Sequence, residues 1–206
     1  GIASPAALVS VSYCLTGVGE QRYNVVTVTL RQPVALPARR FTVTASCGVC
    51  GAATLDAALR EVPPVGAGPV VPRSVLVRLP ERLRHDQALF DATGGLHAAG
   101  LFGPDGAPRV VREDVGRHNA VDKVVGQLVQ QGGLPASDAI LAVSGRVSYE
   151  IVQKAAVAGI PILCAVSAPS SLAVDAARRT GQTLVGFLRG ERFNVYTGAE
   201  RVAVER

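Results

Sequence analysis

The chain has no methionine and no tryptophan, and aromatic residues make up only 4% of its 206 residues. It also lacks any apolar run of about 18 or more residues, the length that a helix needs to cross a bilayer, so we expect no membrane partner. No basic segment followed by an apolar stretch and a cleavage site is present, which argues against secretion. We therefore expect a cytoplasmic protein. The missing initiator methionine favours a processed chain or a part of a longer protein.

Lysine is nearly absent: it occurs only at Lys123 and Lys154, so arginine supplies almost all of the positive charge behind the net charge of +5. The planar guanidinium group binds phosphate oxygens in pairs, which favours a phosphate-bearing ligand. A GC-rich genome, which favours arginine codons, explains the same composition equally well. The charges are scattered rather than interleaved with aromatic residues, so the sequence does not indicate nucleic-acid binding, and a bound nucleotide fits better.

The length and composition predict one domain with a small appendage. Hydrophobic residues make up 48% of the chain, enough to bury a core without a disulfide or a metal. Residues 1–62 are predicted to be β-rich and to lead into a cysteine-containing loop, with strands at 7–13, 23–30 and 40–44. Prolines and glycines at 63–72 predict a connector without regular structure. Residues 73–206 then form a predicted α/β domain.

Helices and strands alternate in this α/β domain. The predicted helices lie at 82–92, 119–130, 148–158 and 171–179, and the predicted strands lie at 108–113, 139–143, 160–166 and 183–188. Residues 94–102 are small, apolar and bounded by glycine, which predicts a tight buried turn or a short helix. Alternation of this kind indicates right-handed crossovers and a parallel sheet that helices cover on both faces.

The four cysteines are of two kinds. Cys14 and Cys164 lie in apolar, strand-like segments, and free cysteine is a common buried residue, so we expect both in the core. Cys47 and Cys50 form a Cys-x-x-Cys pair in a predicted loop that also contains Gly48 and Gly51. In a reducing compartment such a pair favours a metal or catalytic role over a structural disulfide.

The cysteine pair leaves three chemical interpretations open. A structural zinc site needs four ligands, and His97 and His118 would have to complete it. A redox pair would normally begin a helix, whose N-terminus activates the thiol, but here the pair follows a predicted strand. The third interpretation is an exposed, glycine-flanked thiol that accepts sulfur as a persulfide and hands it on.

Three loops follow predicted strands of the α/β domain and carry residues that suit an anion. Ser144, Gly145 and Arg146 lie between a buried strand and a helix, where glycine lets the backbone approach a ligand and the helix N-terminus favours negative charge. Ser167 begins a second loop of this kind, and residues 187–192 form a third that carries two arginines. Ordinary helix capping explains each loop alone, whereas the three together favour a phosphate site.

A polar run at 112–123 lies between a predicted strand and a predicted helix. It places histidine, asparagine, aspartate and lysine beside a glycine, which favours a site that includes His118 and Asn119. Helix capping by Asn119 and a weak surface ion pair are the structural alternatives. His97 stands alone among leucine, alanine and glycine and is predicted to be a hydrogen-bonded core residue rather than a ligand.

Five segments, in this order along the chain, resemble the FdhD family of formate dehydrogenase accessory sulfurtransferases. They are Ser-Cys-Gly-Val-Cys-Gly at 46–51, Gly-Leu-His-Ala-Ala at 95–99, the polar run at 112–123, Ser-Gly-Arg at 144–146 and Arg-Phe-Asn-Val-Tyr-Thr at 192–197. The resemblance implies a cytidine-deaminase-like, three-layer α/β domain with a mixed sheet, a partial N-terminal β subdomain and a homodimer. It also implies that an N-terminal part of the family's chain is missing here.

The resemblance further implies a chemistry. Cys47 would take sulfur from a cysteine desulfurase as a persulfide, and Cys50 would assist. The sulfur would pass to the molybdenum bis-molybdopterin guanine dinucleotide cofactor before that cofactor is inserted into formate dehydrogenase. The cofactor would therefore be a bound substrate, and GDP or GMP would mimic its nucleotide ends.

The segment 187–192 matches the cofactor-binding segment of the family. The residues expected to bind the cofactor are Phe187, Leu188, Arg189, Gly190, Glu191 and Arg192, together with Ser144, Gly145, Arg146, Ser167, His118 and Asn119. No metal site is expected, because His97 is followed by alanines rather than by the glutamate of deaminases, and the cysteine pair comes earlier in the chain. A chaperone that only binds the cofactor and a zinc protein that uses the cysteine pair are the alternative functions.

Overall fold

The computed structural model describes residues 5–13, 25–34, 62 and 64–203. Cys14, Cys47 and Cys50 lie outside the described residues, as does the predicted strand at 40–44. The chain divides into two units, residues 1–40 and residues 41–206. None of the described helices is both long enough and apolar enough to cross a membrane.

The first unit contains a β-hairpin. A single turn of 3₁₀ helix at Pro5–Ala7 leads into β1 (Leu8–Tyr13), which pairs antiparallel with β2 (Val26–Leu30). Val11 lies opposite Val28 and Ser12 lies opposite Thr27, so the alternating sequence gives the hairpin one apolar and one polar face. These strands confirm two of the three predicted for the N-terminal part.

The second unit is built on a six-stranded sheet with the order β5-β4-β6-β7-β8-β9. Its strands are β4 (His97–Phe102), β5 (Pro108–Asp114), β6 (Ile140–Val143), β7 (Ile162–Ala165), β8 (Thr183–Arg189) and β9 (Arg192–Thr197). Its helices are α1 (Arg73–Leu76), α2 (Leu79–His85), α3 (Ala88–Thr93), α4 (Arg117–Gln131), α5 (Tyr149–Val157) and α6 (Ser171–Thr180). A separate two-stranded sheet pairs β3 (Val71–Pro72) with β10 (Val202–Ala203), so the predicted connector ends in a short strand.

The six-stranded sheet is mixed rather than parallel. Strands β6, β7 and β8 run parallel, whereas β4, β5 and β9 are antiparallel to their neighbours. A parallel pair needs a crossover of a dozen or more residues, but only residues 103–107 join β4 to β5 and only residues 190–191 join β8 to β9. The alternation of helices and strands therefore predicted the directions of β6, β7 and β8 correctly. It did not predict that β4, β5 and β9 are antiparallel to their neighbours.

Two apolar layers enclose the sheet. Side chains of α4, α5 and α6, such as Val124, Ile151 and Ala173, pack on one face. Leu79 and Leu83 of α2 pack on the other face. This three-layer α/β arrangement with a mixed sheet is the one that the family resemblance implied, whereas the pattern of helices and strands had predicted a parallel sheet.

The prediction for residues 94–102 was wrong, because residues 97–102 form β4, an interior strand of the sheet between β5 and β6. A side-chain carbon at Gly100 would lie 2.7 Å from the Phe102 ring and 2.9 Å from Leu83, so helix α2 packs directly over this glycine. Both faces of β4 are buried, and a strand buried on both faces shows no alternation of apolar and polar residues. The predicted helix at 82–92 is likewise two helices, α2 and α3, which are separated at residues 86–87.

Candidate functional site

The predicted ligand loops meet along the edge of the six-stranded sheet that is formed by the ends of its strands, rather than along an outer strand. Strands β5, β6, β7 and β8 all end at this edge, and the antiparallel strands β4 and β9 begin there. We call it the carboxyl edge and define it as residues 97, 114–118, 144–148, 166–170 and 187–192. In open α/β sheets, ligands bind outside the carboxyl ends of the strands.

Backbone hydrogen bonds join the three predicted loops into one continuous surface. The N–H of Val147 donates to the carbonyl of Ala168 at 3.1 Å, and the N–H of Phe187 donates to the carbonyl of Ser167 at the same distance. The Arg189 Nε also donates to the carbonyl of Val166 at 3.1 Å. The loop at 166–170 therefore lies between the other two and holds both in place.

The first loop brings Ser144, Gly145 and Arg146 against the start of β4. The Ser144 Oγ accepts the Ala98 N–H at 2.9 Å. A side-chain carbon at Gly145 would lie 3.1 Å from the His97 Nδ1, so glycine permits the close approach of the imidazole. Arg146 is exposed.

His97 lies in the field of two arginines at the carboxyl edge. Partial burial lowers the pKa of His97, and the positive charges of Arg117 and Arg146 lower it further. Burial also lowers the pKa of the Arg117 guanidinium, with a further contribution from Arg146. Cations gathered this closely favour an anion beside them and keep His97 neutral.

Several side chains of the polar run at 112–123 stabilise the loop before α4. The Asp114 carboxylate accepts hydrogen bonds from the Gly116 N–H at 2.8 Å and the Asn119 Nδ2 at 3.1 Å, and it pairs with the Lys123 Nζ at 2.7 Å. Burial alone would raise the pKa of Asp114, but these donors outweigh it and lower the pKa. The amide of the exposed Asn119 is thus hydrogen-bonded to Asp114, and Gly116 rather than Asn119 is the N-cap.

Glu113 in the same run fixes the position of α3. Its carboxylate accepts the backbone N–H groups of Leu89 and Phe90, each at 2.8 Å. The first residues of a helix have unsatisfied N–H groups, so a carboxylate there stabilises the helix start. No local pattern in the sequence indicates this contact between residues more than 20 positions apart.

His118 contacts α5 rather than facing solvent. Its Nε2 lies 2.7 Å from the Ser148 Oγ and 3.5 Å from the Glu150 carboxylate. Ser148 is the N-cap residue of α5, but its hydroxyl makes no capping bond because it contacts His118 instead. Burial lowers the pKa of His118, and the charge of Arg117 lowers it further, against an opposing effect of Glu150.

Below pH 6.5, the ordinary pKa of an imidazole, the free energy of unfolding is expected to fall. The unfolded chain takes up protons on His97 and His118 before the folded chain does, so protonation favours unfolding. The slope is at most about 1.4 kcal/mol per pH unit for each histidine. Urea unfolding at several pH values between 5 and 7.5 measures it.

His118→Gln is expected to reduce this slope, because glutamine does not titrate there. His85→Gln is the matched control, since the His85 side chain is 85% exposed. An unchanged slope in His118→Gln would show that the buried imidazole does not contribute to the pH dependence. The surrounding charges of Asp122 and Lys154 are present in all three proteins.

Phe187 has a strained backbone at the third loop. Its φ is +53°, and among the described residues it is the one non-glycine residue with a positive φ. Its side chain is also 43% exposed, unusual for so large an apolar group. Strain of this kind is concentrated at functional sites, where the surrounding structure holds it in place.

The structure separates the six predicted residues of segment 187–192 by exposure. Leu188 is 1% exposed and belongs to the core under α1 and α2, so only its backbone can face a ligand. Phe187, Arg189, Glu191 and Arg192 are exposed, and Gly190 has a φ of +54° in the tight turn between β8 and β9. Arg73 of α1 holds this turn by donating to the Glu191 carbonyl.

A cavity of about 580 Å³ lies beside the carboxyl edge, on the α2 and α3 side of the sheet. Its wall includes Gln87 and Phe90, which the sequence analysis did not select, together with His97 and Ser144. Gln87 belongs to the predicted helix at 82–92, and nothing in the local sequence marks it as a wall residue. His97 is half-buried there, not a core residue as predicted.

Only some of the remaining predictions about cysteines and metal binding fall on residues that the structure describes. Cys164 is fully buried in β7, and burial raises the pKa of its thiol to about 12, which confirms it as a core residue. Within residues 64–203 and the described hairpin, no three histidine, cysteine or acidic side chains lie close enough to hold a metal.

Comparisons with known proteins place the chain among its relatives. The profile of the FdhD/NarQ family matches residues 2–203. A relative from Nocardia farcinica, named sulfur carrier protein FdhD, is 54% identical over 200 residues, which cover 95% of this chain and 71% of the relative. A relative of the same name from Saccharolobus solfataricus is 48% identical over 182 residues, which cover 87% of this chain and 68% of that protein.

A solved structure shows the same fold. The crystal structure of a candidate formate dehydrogenase accessory protein from Desulfotalea psychrophila superimposes with a TM-score of 0.74 at 27% identity. The match covers 98% of this chain and 74% of that chain. With the family profile spanning nearly the whole sequence, these findings show that the chain belongs to the FdhD/NarQ family.

Proposed function

We propose that this chain is a sulfur carrier that serves formate dehydrogenase. In this proposal Cys47 takes sulfur from a cysteine desulfurase and delivers it to a molybdenum bis-molybdopterin guanine dinucleotide substrate held at the carboxyl edge. The relatives named sulfur carrier protein FdhD support the general role. The observation that carries the rest is the carboxyl edge itself, where exposed arginines and the strained Phe187 gather beside three loops.

Sulfur loading follows from thiol chemistry. The Cys47 thiolate attacks the outer sulfur of the desulfurase persulfide, a carbon-bound cysteine thiolate leaves, and Cys47 becomes a persulfide. One S–S bond forms and one breaks, so no external electron donor is needed. Such exchange requires that the attacking thiol be accessible, which Gly48 inside the cysteine pair and Gly51 after it favour.

Sulfur release assigns a role to Cys50. Its thiolate attacks the inner sulfur of the Cys47 persulfide, which forms a Cys47–Cys50 disulfide and frees hydrosulfide for the metal centre. The two thiols supply the two electrons that reduce sulfane sulfur to sulfide. A cellular dithiol then reduces the disulfide and restores the carrier for another cycle.

The carboxyl edge offers groups that fit the nucleotide ends of such a substrate. Arg146, Arg189 and Arg192 are exposed and can bind phosphate oxygens, while the exposed ring of Phe187 offers a flat surface for a base. His118 and Asn119, which the sequence also suggested, already bond to Ser148 and Asp114. We therefore assign the phosphates to the three arginines first.

Loading is tested directly by mass spectrometry. The protein is incubated with a cysteine desulfurase and cysteine, and the tryptic peptide of residues 41–60, which contains Cys47, is expected to gain about 32 Da, the mass of one sulfur atom. Fragmentation then assigns the added sulfur to Cys47 or Cys50. Cys50→Ala is loaded beside the parent, because Cys50 in the parent can release the sulfur before it is detected. If neither protein gains sulfur, the carrier role is contradicted.

A chaperone that only binds the cofactor is the second candidate. It is favoured by the carboxyl edge, where exposed Arg146, Arg189 and Arg192 can bind phosphates without the cysteine pair. Under this alternative, a double variant with Cys47→Ser and Cys50→Ser still activates formate dehydrogenase. Under the sulfur-carrier proposal, the double variant binds GDP but gives inactive enzyme.

A further inference from the structure

Helix α3 is attached to the rest of the second unit without burying a side chain. None of its six residues, Ala88–Thr93, is buried. The preceding helix α2 is of similar length, yet it places Leu79 and Leu83 in the core. Helices in proteins owe most of their stability to the packing of an apolar face, and a helix of six residues is too short to be stable by itself. Polar contacts must therefore hold α3 in place.

The stronger polar anchor of α3 is the Glu113 carboxylate. Its two oxygens accept the N–H groups of Leu89 and Phe90, each at 2.8 Å. Hydrogen bonds to an ionised carboxylate are about twice as strong as those between neutral groups. A second anchor is Arg84 of α2, which pairs with Asp91 and lies 4.6 Å from the centroid of the Phe90 ring. The Arg84 and Asp91 side chains are 48% and 60% exposed, so water and salt weaken this ion pair.

The chain can bend at both ends of α3. Residues 86–87 separate α3 from α2. At the other end lie Gly94, which has a φ of +67°, and Gly95. Among the described residues, no atom lies within 4 Å of a side-chain carbon built at Gly94, and the Thr93 carbonyl lies 3.9 Å from one built at Gly95. Glycine has wide backbone freedom, so small rotations at these two ends can move α3 as one body.

Helix α3 forms one side of the cavity beside the carboxyl edge. Phe90 and residues 94–96 line the cavity, as do His97 and Ser144 of the carboxyl edge. Glu113, which anchors α3, directly precedes Asp114 of the same edge. A movement of α3 away from Glu113 would therefore open the cavity wall next to the proposed ligand site. Short segments that move in this way act as lids in many proteins.

We propose that α3 is a lid over this cavity, that the Glu113 carboxylate holds it closed, and that it opens to admit and release the ligand of the carboxyl edge. The proposal deepens the proposed function, because it takes that edge as the ligand site. Opening exposes the N–H groups of Leu89 and Phe90 to water and moves no buried side chain of α3. Segments with few buried contacts open far more often than the core unfolds.

Hydrogen exchange measures the opening of α3. In the parent protein, the amides of Leu89 and Phe90 are expected to exchange at least tenfold faster than those of β4, which is buried on both faces. Glu113→Gln is expected to speed exchange in α3 at least tenfold, because glutamine is uncharged and has only one acceptor oxygen. Exchange in β4 should stay unchanged. Glu81→Gln removes the same charge from an exposed position on α2 and is the matched control.

The rates of GDP binding measure the gating. Stopped-flow fluorescence with N-methylanthraniloyl-GDP gives the association and dissociation rates. Glu113→Gln is expected to raise both rates at least threefold, because a lid that is held more weakly opens more often. Loss of a negative charge alone would raise the association rate and lower the dissociation rate. Faster dissociation therefore identifies the lid, and Glu81→Gln shows the effect of charge alone.

Gly95→Ala is the second variant if Glu113→Gln folds poorly. The added side-chain carbon has open space and restricts the backbone at one end of α3, so exchange in α3 is expected to slow at least twofold. The proposal is overturned if α3 exchanges as slowly as β4 in the parent, or if neither variant changes its exchange. Unchanged GDP rates in Glu113→Gln, or equal acceleration of exchange across the whole second unit, would also overturn it.

Sulfur loading separates the lid from the proposed function. Glu113→Gln is expected to gain sulfur on Cys47 as the parent does, because loading by a desulfurase does not involve the cavity. If the lid tests fail while Cys47 still loads, the lid falls and the carrier role stands. If the lid tests succeed but Cys47 takes no sulfur, the reverse holds. If labelled GDP does not bind the parent, the nucleotide assignment falls, and hydrogen exchange alone decides whether α3 is a lid.

Discussion

Cys47→Ala is expected to abolish sulfur loading of the chain and to leave GDP binding unchanged. Loading needs a thiolate nucleophile, and alanine has none. The groups assigned to the nucleotide, Arg146, Phe187, Arg189 and Arg192, do not include a cysteine. Mass spectrometry after incubation with a desulfurase gives the loading, and calorimetry with GDP gives the affinity. Loss of both would contradict separate sites for sulfur and nucleotide.

Cys50→Ala and Cys164→Ala are the matched controls. Without Cys50 the persulfide is expected to form and to persist, because the thiolate that releases hydrosulfide is gone. Cys164 is fully buried, and a thiol with a pKa of about 12 is protonated at neutral pH, so its removal is expected to leave loading unchanged. Persistent loading of Cys47→Ala at Cys50 would exchange the roles of the two cysteines.

The elements that the sequence predicted best are those with a clear pattern. Strands β6 and β7 are short apolar runs bounded by turns, and helices α4 and α6 have a helical period and end at glycines with positive φ. Strand β4 was missed because Ala98, Ala99 and Gly100 carry little periodic signal. Their small size reflects how closely α2 packs over the sheet, which is a tertiary constraint.

The candidate site was likewise predictable from the sequence only in part. Loops that follow strands were recognisable from serine, glycine and arginine, and the structure brings them to one edge. The polar run at 112–123 was harder to interpret, because the same types of polar side chain stabilise loops and bind ligands. Only the structure shows that Asn119 and Lys123 bond to Asp114.

The cavity could not have been predicted from the sequence. Its shape depends on the break between α2 and α3 and on the contact of Glu113 with the start of α3. Gln87 at that break is unremarkable in sequence, since polar residues are common between helices. Its burial becomes visible only once β5 and α3 are packed together.

Phe187→Gly is expected to be more stable than Phe187→Ala, although both are expected to lose at least tenfold in affinity for GDP. A non-glycine residue at a positive φ costs about 1–2 kcal/mol, and alanine retains this cost while glycine does not. The greater freedom of glycine in the unfolded chain offsets about 0.5–1 kcal/mol of that gain. The glycine variant should therefore unfold with a free energy about 0.5–1 kcal/mol higher than the alanine variant.

The order of the two variants should reverse at a site with ordinary backbone geometry. Val115 is 77% exposed at the same edge and has no positive φ, so Val115→Gly is expected to be less stable than Val115→Ala by about 0.5–1 kcal/mol. Urea unfolding of the four variants measures the stability differences, and calorimetry with GDP measures the affinity of the two Phe187 variants. If the glycine variant at 187 is more stable than the alanine variant and also binds GDP more weakly than the parent, the strain at Phe187 holds an aromatic ring where the ligand needs it. Full GDP affinity in both Phe187 variants would remove the ring from the site, and a glycine variant that is less stable than the alanine variant, as at Val115, would show that the backbone there stores no strain.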